Sequence, residues 1–471
     1  MRKFIFPFSF LIFLLTSINV WSNVRLPSVI GSNMVLQQNT TATFWGWSDP
    51  GEKIFITTSW NNRTDSAEAK GEARWKISMP TPAAGGPFTI TIKGYNTIVL
   101  ENVMIGEVWL CSGQSNMEWS SYNKVKQILD ELPNSHNENL RLFHITKTTS
   151  EYPQDNIPGN WKVCSPESLT GFSAVGYFFG KKLQEELNVP IGLINASWGG
   201  TAAEAWTPAE IVLGHPSLKA ASDALNPSKW WPVKPGLAYN AMIAPIVSFN
   251  IAGVIWYQGE SNTGTAATYE QLFTSMIGAW RKAWNKEFPF YYVQIAPYAY
   301  GNHNIAALLR EQQTRAMKYP RTGMVVISDL VDNVNDIHPQ NKKDVGLRLA
   351  AWALNDNYGK NAGPYRSPLF SRMETEKEKI ILYFDHAPNG FVAKGTPRGF
   401  QIAGEDKQFL PADVKIDKQR IIVSNKQIKD PKAVRFSFDN TTMSNLFSKE
   451  GLPVTPFRTD DWDADTSPVK K

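Results

Sequence analysis

The sequence predicts an α/β protein: a three-layer α/β/α core on a parallel sheet, flanked by N-terminal and C-terminal β-sandwich-like regions. Three observations predict it. Between about residues 105 and 360, apolar strand-like runs alternate with helical patterns, which argues for a parallel sheet covered on both faces. From 23 to about 104 there are only short β-branched and aromatic runs, separated by Gly, Pro, Asn and Asp, as a sandwich requires. After about 361 the chain returns to short β runs.

The elements follow in order. Residues 1–22 read as an export signal: Arg2 and Lys3, an apolar stretch from Phe4 to Leu15, then Val20-Trp21-Ser22 with a small residue at each end. The stretch is short for a membrane span, so cleavage after Ser22 would leave no integral span. The expected destination is the periplasm or the extracellular space. In 23–104, Thr41 to Trp45 and Phe88 to Ile92 are strand-like, and Ser48-Asp49-Pro50-Gly51 is a turn. In 105–360, strands are expected over 103–111, 189–196, 251–257, 290–295 and 323–328. Helices are expected over 122–132, 176–187, 308–317 and 343–355, where apolar residues recur at helical spacing. In 361–471, strands are expected over 379–384, 399–403, 420–423 and 433–438.

Composition narrows the function. At 42% hydrophobic and 19% charged, the chain is a packed globular protein rather than a disordered one. The formal charge of +5 would fall to +3 with the signal removed. No basic run accompanies it, so nucleic acid is not an expected partner. No Cys/His cluster has zinc spacing, and neither a metal nor another cofactor is expected. The two cysteines, Cys111 and Cys164, would either pair or stay as buried thiols.

Four loop segments could carry chemistry, each after an expected strand or near the end of the α/β region. In Gly113-Gln114-Ser115-Asn116-Met117, a serine beside glycine can expose its hydroxyl, which needs a base to become nucleophilic. In Ser197-Trp198-Gly199-Gly200-Thr201, paired glycines let backbone N–H groups approach an oxyanion. In Gln258-Gly259-Glu260-Ser261-Asn262, the Asn262 amide could add another donor. In Asp336-Ile337-His338-Pro339, a histidine with a nearby acid can act as the base. Any one alone would also fit an ordinary polar loop.

Together the four are far more specific, and they resemble the SGNH (GDSL-type) hydrolase superfamily. More narrowly, the chain resembles the sialate O-acetylesterase-type carbohydrate esterases. The carrying stretches run from Gly106 to Trp119, Asn195 to Thr201, Trp256 to Asn262 and Asp336 to Pro339, with Phe172 to Tyr177, Arg310 to Gln313 and Gly451 to Asp460 outside them. The resemblance implies Ser115 as nucleophile and His338 as base. It implies an oxyanion hole from the Ser115 N–H, the Gly199 or Gly200 N–H and the Asn262 side chain. One position departs: the superfamily places its Asp three residues before the histidine, where this chain has Asn335, with Asp336 two before. Either Asp336 orients the imidazole from a shifted position, or a backbone carbonyl or amide does so in a Ser–His dyad. Gln114, Trp119, Gln258 and Glu260 are expected to touch substrate.

The resemblance points to an O-acetylated sugar, first of all 9-O-acetylated sialic acid, with acetylxylan or another acetylated glycan as the alternative. Of the 17 tryptophans, Trp119, Trp198, Trp206 and Trp256 lie beside the motifs, where they could stack on sugar or fill the core. Two other classes compete. A non-catalytic glycan-binding protein would leave Ser115 and His338 without a purpose. A glycosidase would use a carboxylate pair such as Glu260 and Asp336.

Overall fold

The computed structural model describes residues 23–301 and 304–464. The expected signal segment, residues 1–22, lies outside them. Among the described residues, no helix is long and apolar enough to cross a membrane.

The architecture is organised by one strand. Thr97–Gly113 alternates in burial up to Asn102 and is buried without interruption from Val103 onward. The change marks where the strand leaves a sheet covered on one face and enters one covered on both. Its first half pairs antiparallel with Gly85–Lys93 of the N-terminal β region. Its second half is the centre of the core sheet. Position 104/105, where the sequence suggests a boundary, therefore falls inside a continuous strand.

Across the core sheet the order is Thr322–Val325, Phe290–Val293, Gly253–Tyr257, Thr97–Gly113, Ile191–Ser197, Asn137–His144 and Trp161–Cys164. All neighbours are parallel except the last pair. Alternate side chains of the central strand enter two separate cores. Val108 and Leu110 join Val254, Trp256 and the Tyr269–Trp284 helix on one face. Trp109 and Cys111 join Ile255, Tyr257, Tyr291 and the Ala174–Leu187 and Lys342–Trp352 helices on the other. This is the expected three-layer α/β/α arrangement. The Tyr269–Trp284 helix was not among the expected elements, although Tyr269, Leu272, Phe273, Met276 and Trp280 carry the helical period and are buried.

Cys111 and Cys164 are both free and buried, which settles the open choice in favour of thiols. Burial pushes Cys164 up to about 12 and Cys111 further still.

The C-terminal region has its own core of Ile380, Leu382, Phe400, Ile402, Val423, Val434 and Phe436 between two four-stranded sheets. It is clasped to the Ile305–Ala316 helix. Arg458 pairs with both oxygens of Glu311 at 3.0 Å, and Arg310 donates to the Asp439 carbonyl. The clasp joins two of the outlying stretches, Arg310–Gln313 and Gly451–Asp460.

Candidate active site

Strand register assembles the site. Gly113, Ser197 and Tyr257 lie side by side as the last residues of three adjacent parallel strands. Three of the four candidate segments therefore leave the sheet together at its carboxyl edge, where open α/β sheets place their ligands. Gln114 N donates to Tyr257 O at 3.0 Å, and Trp198 N donates to Gly113 O at 3.0 Å. Gly113 has φ +136°, and a Cβ there would lie 2.2 Å from the Tyr257 carbonyl. Only glycine permits this approach.

Ser115 opens the short helix Ser115–Glu118. Its Oγ lies 2.9 Å from His338 Nε2. His338 arrives from the fourth segment, and its ring stacks on Trp119 with centroids 4.3 Å apart and planes 21° from parallel. Burial lowers the histidine's pKa, and the nearby Lys342 lowers it further against an opposing pull from Asp336. The imidazole is thereby biased towards the neutral form that can accept a proton.

Asp336 holds the loop more firmly than the ring. Its Oδ1 accepts the His338 backbone N–H at 2.9 Å, whereas His338 Nδ1 lies 3.6 Å away, outside hydrogen-bond range. The carboxylate is 46% exposed, so water weakens its charge at the ring.

A second set of polar groups lies behind the pair, fully enclosed. Asn116 donates to Glu260 Oε1 at 2.6 Å and to the Ile337 carbonyl, one residue before His338, at 3.1 Å. It accepts from Lys342 Nζ at 2.6 Å. Asn116 and Lys342 are 0% exposed and Glu260 is 6% exposed. The Lys342 ammonium sits 5.2 Å from the Trp119 ring centroid and 5.6 Å from that of Tyr257. Desolvation brings Lys342 down to about 7 and raises Glu260. Both shifts favour the neutral forms.

Among the described residues, the backbone N–H groups of Ser115 and Gly200 have no hydrogen-bond acceptor. The Gly199 N–H is taken by Glu118 Oε2 at 2.5 Å, and Glu118 is in turn paired with Lys147. A Cβ at Gly199 would sit 3.2 Å from that of Ser115, which places this turn directly against the serine.

The sequence model of the sialic acid-specific acetylesterase family of carbohydrate esterases matches residues 105–355. The chain belongs to this family. Human sialate O-acetylesterase is 30% identical over 422 residues, covering 80% of each chain. The mouse enzyme of the same name is 28% identical over 459 residues, 83% of this chain and 84% of that one. A crystal structure of a carbohydrate acetylesterase from Xanthomonas citri superposes with TM-score 0.85 at 36% identity, covering 93% of this chain and 100% of that one.

In this carbohydrate esterase the expected site residues divide into two groups. Ser115, His338, Asp336, Gly199, Gly200 and Trp119 gather at the carboxyl edge. Asn262 does not take the place expected of it. Its Nδ2 donates to Glu204 Oε2 at 2.8 Å and to Thr265 Oγ1 at 3.4 Å, so both amide hydrogens are engaged. Of the two glycines, Gly200 carries the unengaged N–H.

Gln258 and Glu260 are enclosed scaffold, and Gln114 braces loops through its carbonyl oxygen. Gln114 Oε1 accepts from Gly259 N at 3.2 Å and Ser261 N at 3.4 Å, tying two loops together. Gln258 is 0% exposed, with Nε2 on Asn262 Oδ1 at 2.8 Å and Oε1 on the Tyr269 hydroxyl at 2.9 Å. The second Glu260 oxygen is buried without a partner, so Glu260 does not face an open cleft as a glycosidase acid would. Trp206 and Trp256 are core residues, each 0% exposed.

Two features escaped the sequence reading. Lys342 stands beside Lys343 in a polar stretch, and nothing local marks it as buried. The adjacent Trp230 and Trp231 did carry a signal: paired aromatics between Pro227 and Pro232 in a lysine-containing loop.

Proposed function

We propose that the protein removes O-acetyl groups from sugars through an acetyl-Ser115 intermediate. The 2.9 Å contact between Ser115 Oγ and His338 Nε2 carries this reading. Ser115 Oγ attacks the acetyl carbonyl carbon as its proton passes to His338 Nε2. The Ser115 and Gly200 N–H groups receive the oxyanion. Collapse expels the sugar oxygen, which takes the proton back from His338. Water, deprotonated by the same nitrogen, then attacks the acetyl-serine, releasing acetate and regenerating Ser115.

Acetate release tests this directly. Ser115→Ala should lower kcat for p-nitrophenyl acetate by about 10⁴-fold or more. Rapid quenching of the unaltered enzyme should trap one acetyl group on the peptide bearing Ser115. An active Ser115→Ala protein would overturn the mechanism.

The curated relatives named above are sialate O-acetylesterases, which makes 9-O-acetylated sialic acid the first substrate to assay and acetylxylan or another acetylated glycan the second. Export is proposed from Arg2, Lys3 and the apolar stretch after them. Amino-terminal sequencing of protein recovered outside the cytoplasm should begin at residue 23; intact Met1 would refute cleavage.

A further inference from the structure

A cavity of about 330 Å³ opens beside Gly200, within the range of about 300–1,000 Å³ typical of small-molecule sites. Its inner wall is Gly200, whose neighbour Gly199 abuts Ser115. Ser261 donates to the Gly200 carbonyl at 2.9 Å and forms part of the same wall. Trp231 stands on one side, with Asn226, Thr263 and Thr265 supplying polar groups. The remaining lining is aliphatic or glycine, and no lining residue carries a charge.

Trp231 is fixed in place. A Cβ on Gly200 would fall 2.3 to 2.6 Å from three atoms of its indole, and Gly200 has φ +81°. Glycine is thus required at 200 twice over, for its backbone and for the ring. The Trp198 indole donates to the Trp230 carbonyl at 3.2 Å, tying this loop to the end of the Ile191–Ser197 strand. Pro227, Pro232 and Pro235 stiffen it. Trp231 nevertheless keeps 37% of its surface exposed and Trp230 keeps 80%.

We propose that this cavity is the subsite for the sugar bearing the acetyl group, that Trp231 is its stacking platform, and that the sugar is uncharged. The proposal rests on the acetyl-serine reading above. The chemistry of the lining selects the class. An aromatic face with scattered amide and hydroxyl groups suits a ring with apolar C–H faces and hydroxyl edges. A sialic acid also carries a carboxylate, which needs a cation or a set of N–H donors when water is excluded. The cavity lining offers no cation. Lys147 nearby is already paired with Glu118. Lys229 and Lys234 flank the two tryptophans in the chain, but neither lines the cavity.

The test compares kcat/KM on acetylated xylo-oligosaccharides, 9-O-acetylated N-acetylneuraminic acid and p-nitrophenyl acetate. The neutral oligosaccharides should exceed the sialic acid at least tenfold. Trp231→Ala should lower the ratio of oligosaccharide to p-nitrophenyl acetate activity at least tenfold, mainly through KM, and Trp231→Phe should restore most of it. Equal or better turnover of the sialic acid overturns the uncharged class. A ratio insensitive to Trp231→Ala in a folded protein overturns the subsite. Failure of the unaltered enzyme on all three esters would instead defeat the acetyl-serine reading beneath the proposal.

Discussion

The Ser115–His338 pair stands between two unlike environments. Behind it, Asn116, Lys342 and Glu260 form a buried cluster joined by contacts of 2.6 Å. In front, Asp336 reaches the imidazole only at 3.6 Å and is nearly half exposed. The difference teaches how the His338 ring is placed. Precision resides in the polypeptide carrying His338, fixed through the Ile337 carbonyl and the His338 N–H, more than in a carboxylate gripping the ring. A buried hydrogen-bonded network resists motion, and a solvated charge 3.6 Å away does not.

If that is right, the buried side should be the more sensitive to substitution. Asn116→Leu should have the largest effect, because Lys342, Glu260 and the Ile337 carbonyl lose a partner together. A loss of about 3 kcal/mol in unfolding free energy is expected from stranded groups costing about 1–3 kcal/mol each. A drop in kcat on the order of 10²-fold should accompany it as His338 shifts. Denaturant unfolding and acetate release measure both, and a variant near wild type in each would break the comparison.

Lys342→Met should come next, costing about 1–3 kcal/mol for the stranded Asn116 oxygen. It should also move the acid limb of kcat/KM to higher pH, since Lys342 lowers the His338 pKa. Stability should show a matching signature. The folded protein holds Lys342 near 7, so above that pH the unfolded chain binds the extra proton. The wild type should therefore gain stability relative to the variant as pH rises from 7 towards the ordinary lysine range. An unmoved acid limb would reduce Lys342 to a packing residue.

Asp336→Asn should have the smallest effect. Asparagine can still accept the His338 N–H, so the loop survives. The loss in kcat/KM should be about tenfold, against about 10⁴-fold when the carboxylate of a fully built triad is removed. Asp336 raises the His338 pKa, so the acid limb should move to lower pH, opposite to Lys342→Met. A loss near 10⁴-fold would show that the carboxylate closes on the ring during turnover.

The core strands and the pairing of Ser115 with His338 were legible in the sequence for physical reasons. Parallel strands covered on both faces read as near-continuous apolar runs, as 251–257 does and as 103–111 does apart from Glu107. Ser115 follows the first of these strands directly, and His338 lies in the stretch between the Thr322–Val325 strand and the Lys342–Trp352 helix. Asn262 was misplaced because a sequence shows an amide but not the acceptor it faces, here Glu204. Lys342 was invisible because its burial is created by Asn116, Trp119 and Tyr257, all distant in the chain. Gln258 and Glu260 are as polar as any ligand-contacting residue, and only tertiary packing shows that they hold loops instead.

The Thr97–Gly113 strand also bears on how this protein can be cut and recombined. Glu107 lies midway along it, 5% exposed, and is held by Gln37 at 2.9 Å, Gln38 at 2.6 Å and Tyr358 at 2.7 Å. Two of those partners belong to the N-terminal β region. A fragment starting at residue 105 would keep the hydrolytic loops but strip a buried acid of two donors and leave Gly106 without the Gln38 N–H it accepts. The inheritable unit is consequently larger than the segment that carries the chemistry. Module exchange among such esterases should succeed at junctions outside 35–113 and fail at 104/105, where a crossover would divide one strand between two parents.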